Sequence, residues 1–74
     1  MADLAKQLGE NIRKRRVEIG LSQDNLALNA NIDRSYIGRI ERGEVNITVE
    51  MLCKIAAYIK IDPRELLPEY LPEN

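Results

Sequence analysis

The stretch from Gln23 to Gly43 constrains the fold of this 74-residue chain more than any other. It reads as two short helices joined by a tight turn. Ser22 caps the first of them, and Asp24 in its first turn suits the helix dipole. Ala27 is small where two helices must cross closely, and Asn31 can take the left-handed conformation that a tight inter-helix turn needs. Asp33 caps the second helix and Gly43 ends it. Ile32 and Ile37 pin the turn and the second helix to a core. On that second helix Ile37 and Ile40 share the inward face. Positions 34, 35, 38, 39 and 42, related by steps of three and four, share the outward one. The outward face is polar and carries Arg34, Arg39 and Arg42.

The flanking segments are helical too. A first helix is expected from about Asp3 to Ile19, with Leu4, Leu8, Ile12 and Ile19 near one face, a left-handed stop at Gly20, and Leu21 folding back on the last turn. Thr48 caps a fourth helix in which Met51, Leu52, Ile55, Ala56 and Ile59 form a wide buried stripe. Asp62, Pro63 and Glu65 open a short fifth helix through Leu66 and Leu67. Pro68 and Pro72 bracket an extended tail. No strand pattern, repeat or linker interrupts the chain, so residues 1–74 are expected to form one all-α domain. The hydrophobic share is 45%, yet Phe and Trp are both missing, so the core must be aliphatic. Cys53, in the apolar fourth helix, is expected to be a small core residue.

Charge is unevenly placed. The net charge is only −1, but residues 13–42 hold seven basic residues against four acidic ones, a net +3. Residues 43–74 hold three basic against six acidic, a net −3, and residues 1–12 one basic against two acidic. Local field governs phosphate attraction more than net charge does, so the basic part suits a polyanion and the acidic part should face away from it. There is no His, which excludes His-based acid–base catalysis and His metal sites. One Cys builds neither a disulfide nor a thiolate zinc site. No glycine-rich phosphate loop is present, and neither an enzyme nor a cofactor is expected. No apolar run approaches the roughly 20 residues that span a membrane, and the N-terminal residues lack the apolar block of a signal peptide. A cytoplasmic location is the expectation.

Two helices with this turn are the geometry of a helix-turn-helix, here about 22–43, whose second helix enters the DNA major groove. From about Leu8 to Leu67 the chain resembles the Xre/Cro/C1 family of helix-turn-helix regulators. The matching pieces are Ile12-Arg13 with Arg16, Gly20-Leu21-Ser22-Gln23, Leu26-Ala27, Ile40-Glu41-Arg42-Gly43, and Leu52 with Ile55-Ala56. Within that family, Asp33-Arg34-Ser35-Tyr36-Ile37 followed by Ile40–Gly43 and Asn46-Ile47-Thr48 is similar to the small controller proteins of restriction–modification systems.

The resemblance implies a five-helix bundle of the lambda-repressor-like type that binds DNA as a dimer. It implies base reading at Arg34, Ser35 and Arg39, which suits the arginine fork, since that fork matches guanine O6 and N7. Ser22 and Gln23 stand at a helix N-terminus that favours phosphate. The matching glutamine in the family holds the DNA backbone and braces the recognition helix. Arg42, Asn46 and Thr48 resemble a second phosphate clamp, and Tyr36 can pack beside Ile37 while offering its hydroxyl to DNA. Arg16 and Glu41 match an ion pair that joins the first helix to the end of the recognition helix. Asp24 and Asp33 are positional candidates for a contact with the RNA polymerase sigma factor.

One recognition helix reads too few base pairs for useful specificity, so a homodimer on a palindromic operator is expected. Apolar residues beyond the core, Tyr58, Ile61, Leu67, Tyr70 and Leu71, are its candidate interface, placing dimerisation toward 58–71. A controller protein would activate at low occupancy and repress at high occupancy. Two alternatives stay open at this point. One is a phage-type repressor or antitoxin; the other is a helical protein-interaction module without DNA binding. For each polar residue named, simple solvation or capping is the competing role.

Overall fold

Each helix starts at a residue whose extended backbone turns its own side-chain oxygen onto a free N–H of the first turn. Asp3 accepts from the Lys6 N–H, Ser22 from Asn25, Asp33 from Ser35, Thr48 from Met51 and Asp62 from Arg64. Such caps contribute about 1 kcal/mol each. The computed structural model describes residues 3–69. It runs α1 (Leu4–Glu18), α2 (Gln23–Ala30), α3 (Arg34–Glu41), α4 (Val49–Tyr58) and α5 (Pro63–Leu66), with no strand among the described residues. The Arg64 side chain and N–H together hold the Asp62 carboxyl down to about 2.

The first four helices stop the same way. Gly20, Asn31, Gly43 and Lys60 have φ of 73°, 56°, 74° and 58°. The N–H of the next residue then reaches back past the last turn: Leu21 to Arg16 O (3.0 Å), Ile32 to Ala27 O (2.9 Å), Glu44 to Arg39 O (2.9 Å) and Ile61 to Ala56 O (3.1 Å). This closure satisfies orphan carbonyls and usually carries an apolar residue back to the helix. Leu21, Ile32 and Ile61 do pack against the core. Glu44, at the end of α3, is the exception.

The core is aliphatic throughout. Ile12, Leu26, Ala27, Ala30, Ile37, Ile40, Leu52, Ile55, Ala56, Ile59 and Leu66 are all buried, each large one contributing about 1.5–3 kcal/mol. α1 packs on α3 and α5, α2 on α3 and α4, and α4 on α5. Arg15 caps α4 from outside, donating from Nε to Ile59 O (3.0 Å) and from Nη2 to Lys60 O (2.8 Å). Asn11 Nδ2 donates to Leu66 O at the end of α5 (2.9 Å).

Several expectations need correction. Cys53 is exposed, not a core residue. The stripe that α4 buries is Leu52, Ile55, Ala56 and Ile59, whereas Cys53 lies with exposed Val49 and Ala57 on the side that no helix covers. Leu4 and Ile19 are exposed at the two ends of α1. Asp3 is a cap rather than a helical residue, and α5 stops one residue short of Leu67, whose backbone is extended. Tyr70 and Leu71 lie outside the described residues.

Gly9 sits where α1 crosses the end of α3. A Cβ there would collide with the backbone carbonyl oxygens of Ile40 and Glu41, which are main-chain groups and not the far end of a flexible side chain. Gly9→Ala should therefore destabilise by about 1–3 kcal/mol, as overpacking does. In a domain of this size that lowers Tm by about 4–8 °C per kcal/mol. Thermal melts of wild type and variant decide it, and an unchanged Tm would show that the helices separate freely.

Candidate nucleic-acid interface

The outward face of α3 gathers the polar residues expected there. Ile37 and Ile40 are buried on one side, while Arg34, Ser35, Arg39 and Arg42 are exposed on the other. With Gln23 from the start of α2, Gly38 and Glu44, those four residues line one open polar groove. The Arg42 guanidinium lies over Gly38, where an added Cβ would come within 3.1 Å of Nη1. The glycine thus leaves room for Arg42. Tyr36 is half-buried against the core.

A buried network sets the direction of this helix. Arg16 donates from Nε to Glu41 Oε2 (2.7 Å) and from Nη2 to Oε1 (3.0 Å). Its remaining nitrogen, Nη1, donates to Leu21 O (2.7 Å). Gln23 Nε2 donates to the same Glu41 Oε1 (2.9 Å). Arg16 and Glu41 are only 7% and 6% exposed, so the pair is shielded from solvent. The C-terminus of α1, the N-terminus of α2 and the last turn of α3 are thereby tied at one point. Gln23 thus links the start of α2 to the last turn of α3.

At the surface the cations are paired with acids. Arg34 contacts the Asp24 carboxylate. Arg42 donates from Nε to Glu44 Oε2 (2.7 Å), and Arg39 Nε lies 4.0 Å from the same side chain. The Arg42 hydrogen bond holds the Glu44 carboxyl below the usual carboxylate range. Asp33 accepts from both the N–H and the hydroxyl of Ser35 (2.8 and 2.7 Å), which lowers its carboxyl likewise.

The Ser22 and Thr48 oxygens accept from backbone N–H groups (3.0 and 3.1 Å). Each hydroxyl hydrogen is left to donate elsewhere. Asn46 is exposed, but it borders a separate apolar groove with Leu4, Ala5, Leu8, Val45, Ile47 and Leu67. Tyr58 and Leu67 are exposed, whereas Ile61 is half-buried on the core. Among the described residues, no group of three or more His, Cys, Asp or Glu side chains could hold a metal ion. No helix among them is long and apolar enough to cross a membrane. Glu44, which faces two of the three arginines of the groove, is not evident from the sequence because its contacts depend on the turn after α3.

Comparison with known proteins agrees with this geometry. The helix-turn-helix family HTH_3 matches residues 12–66. The restriction–modification controller protein C.AhdI from Aeromonas hydrophila superposes with a TM-score of 0.81 at 40% identity, covering 85% of this chain and 96% of that one. The controller protein C.Esp1396I, solved as a tetramer with its natural 35 base-pair operator, gives 0.79 at 32% identity over 89% of this chain and 87% of that one. A hypothetical transcription factor of Neisseria meningitidis serogroup B is 37% identical over 65 residues, 88% of this chain. The chain spans 61% of that protein's length.

Removing Glu41 strands a buried guanidinium, which costs about 3–5 kcal/mol. Arg39 is solvent-facing, so its removal should stay within about 0.5 kcal/mol. Glu41→Ala should accordingly melt well below Arg39→Ala. Equal midpoints in calorimetry would mean that the buried pair carries no stability.

Proposed function

Because the chain belongs to the helix-turn-helix family HTH_3, we propose that it is a DNA-binding transcription regulator of the restriction–modification controller type, and not an enzyme. The observation that carries this reading is the polar groove of α3, with Gln23, Arg34, Ser35, Arg39 and Arg42 on one face backed by buried Ile37 and Ile40. A rigid helix offering arginine forks from a solvent-facing side suits a major groove, whose guanine edges accept two hydrogen bonds from one guanidinium. Arg34, Ser35 and Arg39 read bases in this proposal. Ser22, Gln23, Tyr36, Arg42, Asn46 and Thr48 hold the backbone, the two capping hydroxyls by donating to phosphate oxygens.

The regulator works in the cytoplasm as a homodimer on a palindromic operator. The complex of the C.Esp1396I tetramer with its natural 35 base-pair operator supports, by similarity, operator binding by an oligomer. The exposed Tyr58 and Leu67, with Ile61 beside them in sequence, are the described part of its interface; Tyr70 and Leu71 complete the proposed set. Residues 1–74 act as one domain. Binding upstream of its own gene and the endonuclease gene activates at low occupancy and represses at high occupancy. Asp24 and Asp33, both exposed at helix starts, are the proposed contacts to the polymerase sigma factor.

Arg34→Ala or Arg39→Ala should keep the fold and weaken operator binding by about 1–3 kcal/mol, relaxing preference at one base pair. Anisotropy titrations on operator and scrambled duplexes test it. Equal losses on both would move these arginines to phosphate contact, and no loss on either would remove α3 from the interface.

Truncation after Leu67 should shift sedimentation toward monomer and lower operator affinity while circular dichroism stays helical. A truncated chain that still sediments as a dimer would place the interface elsewhere.

A further inference from the structure

Glu44 breaks a pattern that the rest of the fold keeps. The residue after each left-handed stop is Leu21, Ile32, Glu44 or Ile61, and all but Glu44 pack on the core. A carboxylate there adds nothing to burial, and local exceptions of this kind mark functional positions. Its side chain turns instead into the polar groove, 2.7 Å from Arg42 Nε and 4.0 Å from Arg39 Nε. A carboxylate and a phosphodiester both present two oxygens sharing one negative charge, and both suit a guanidinium fork. We propose that Glu44 is an internal competitor of DNA for Arg42, which the reading above places on the DNA backbone, lowering the affinity of this face for every DNA sequence.

The inference rests on the DNA-binding reading above. Two effects act in the same direction. Arg42 must leave Glu44 before it can hold a phosphate, so the exchange brings little net gain. The vacated carboxylate then stands beside a polyanion and repels it. Neither effect depends on base sequence, so operator and random DNA are weakened alike and the ratio between them is kept. The device keeps the protein from lingering on non-specific DNA without altering which site it prefers.

The test compares the full-length wild type with Glu44→Gln and Glu65→Gln. The amide introduced by Glu44→Gln keeps the size of the original side chain, removes its charge and exchanges one acceptor oxygen for a donor NH2. The N–H bond from residue 44 to Arg39 O is unaffected because it belongs to the backbone. Glu65 is an exposed acid on α5, which packs on α1 and α4, and it serves as the charge control. Binding is measured on a mixed-sequence duplex of about 30 base pairs, roughly three helical turns, and on a duplex from upstream of the chain's own gene, over a salt series.

Glu44→Gln should tighten both by about three- to tenfold at low salt. The plot of log affinity against log salt should steepen by up to about one unit. Glu65→Gln should change either much less. Unchanged or weaker binding by Glu44→Gln, or an equal gain from Glu65→Gln, would overturn the proposal while leaving the DNA-binding reading intact. A wild type with no salt-dependent affinity for either duplex would overturn the DNA-binding reading and this inference with it.

Discussion

The Glu41 carboxylate is the point on which the rest of the molecule turns. It takes three hydrogen bonds, two from Arg16 and one from Gln23, almost completely shielded from water. A charge taken out of solvent is tolerated only when its partners meet it in good geometry. Its three bonds therefore fix the relative placement of α1, α2 and α3. The aliphatic core could not do this alone, since apolar contacts are non-directional and allow a helix to roll by a few degrees. A roll of α3 would swing its arginines off the groove. The buried pair thus contributes orientation where the core contributes adhesion.

The crossing of α1 and α3 shows how closely the two requirements are linked. Gly9 lets the α1 backbone meet the carbonyls of Ile40 and Glu41. Gly43 combines a φ of 74° with a Cβ direction that points into the backbone of Lys6. Two glycines on opposite sides of one contact allow an approach that any side chain would prevent. The same approach brings Arg16 within reach of Glu41.

Much of this architecture is readable from residues taken a few at a time. The capping residues Ser22, Asp33, Thr48 and Asp62, and the stops at Gly20, Asn31 and Gly43, act through their own backbone and are visible without knowing the fold. The two-faced character of α3 is equally local, because Ile37 and Ile40 alternate with arginines at helical spacing. Features made by distant partners are harder to see. Arg15 looks like one member of a basic run, yet it spends its donors on Ile59 and Lys60 at the end of α4. Gly9 is an unfavourable residue inside a helix, and that cost is the available hint of a close contact. Cys53 is misplaced by periodicity, which gives the direction of an apolar stripe and not how widely its neighbours cover it. In the groove itself, the arginines are legible and their acidic partners Asp24 and Glu44 are not, since ion pairing across a turn depends on where the turn points.

The composition of the polar groove has a consequence for what the molecule can sense. Its ionisable groups are guanidiniums and carboxylates, and the whole chain contains no imidazole. Imidazole is the side chain that ordinarily supplies a charge switch near neutral pH. The face therefore lacks the usual side-chain sensor of acidity. What does alter its field is dissolved salt, through screening over about 8–10 Å. A surface built this way answers to ionic strength and has no imidazole switch for acidity.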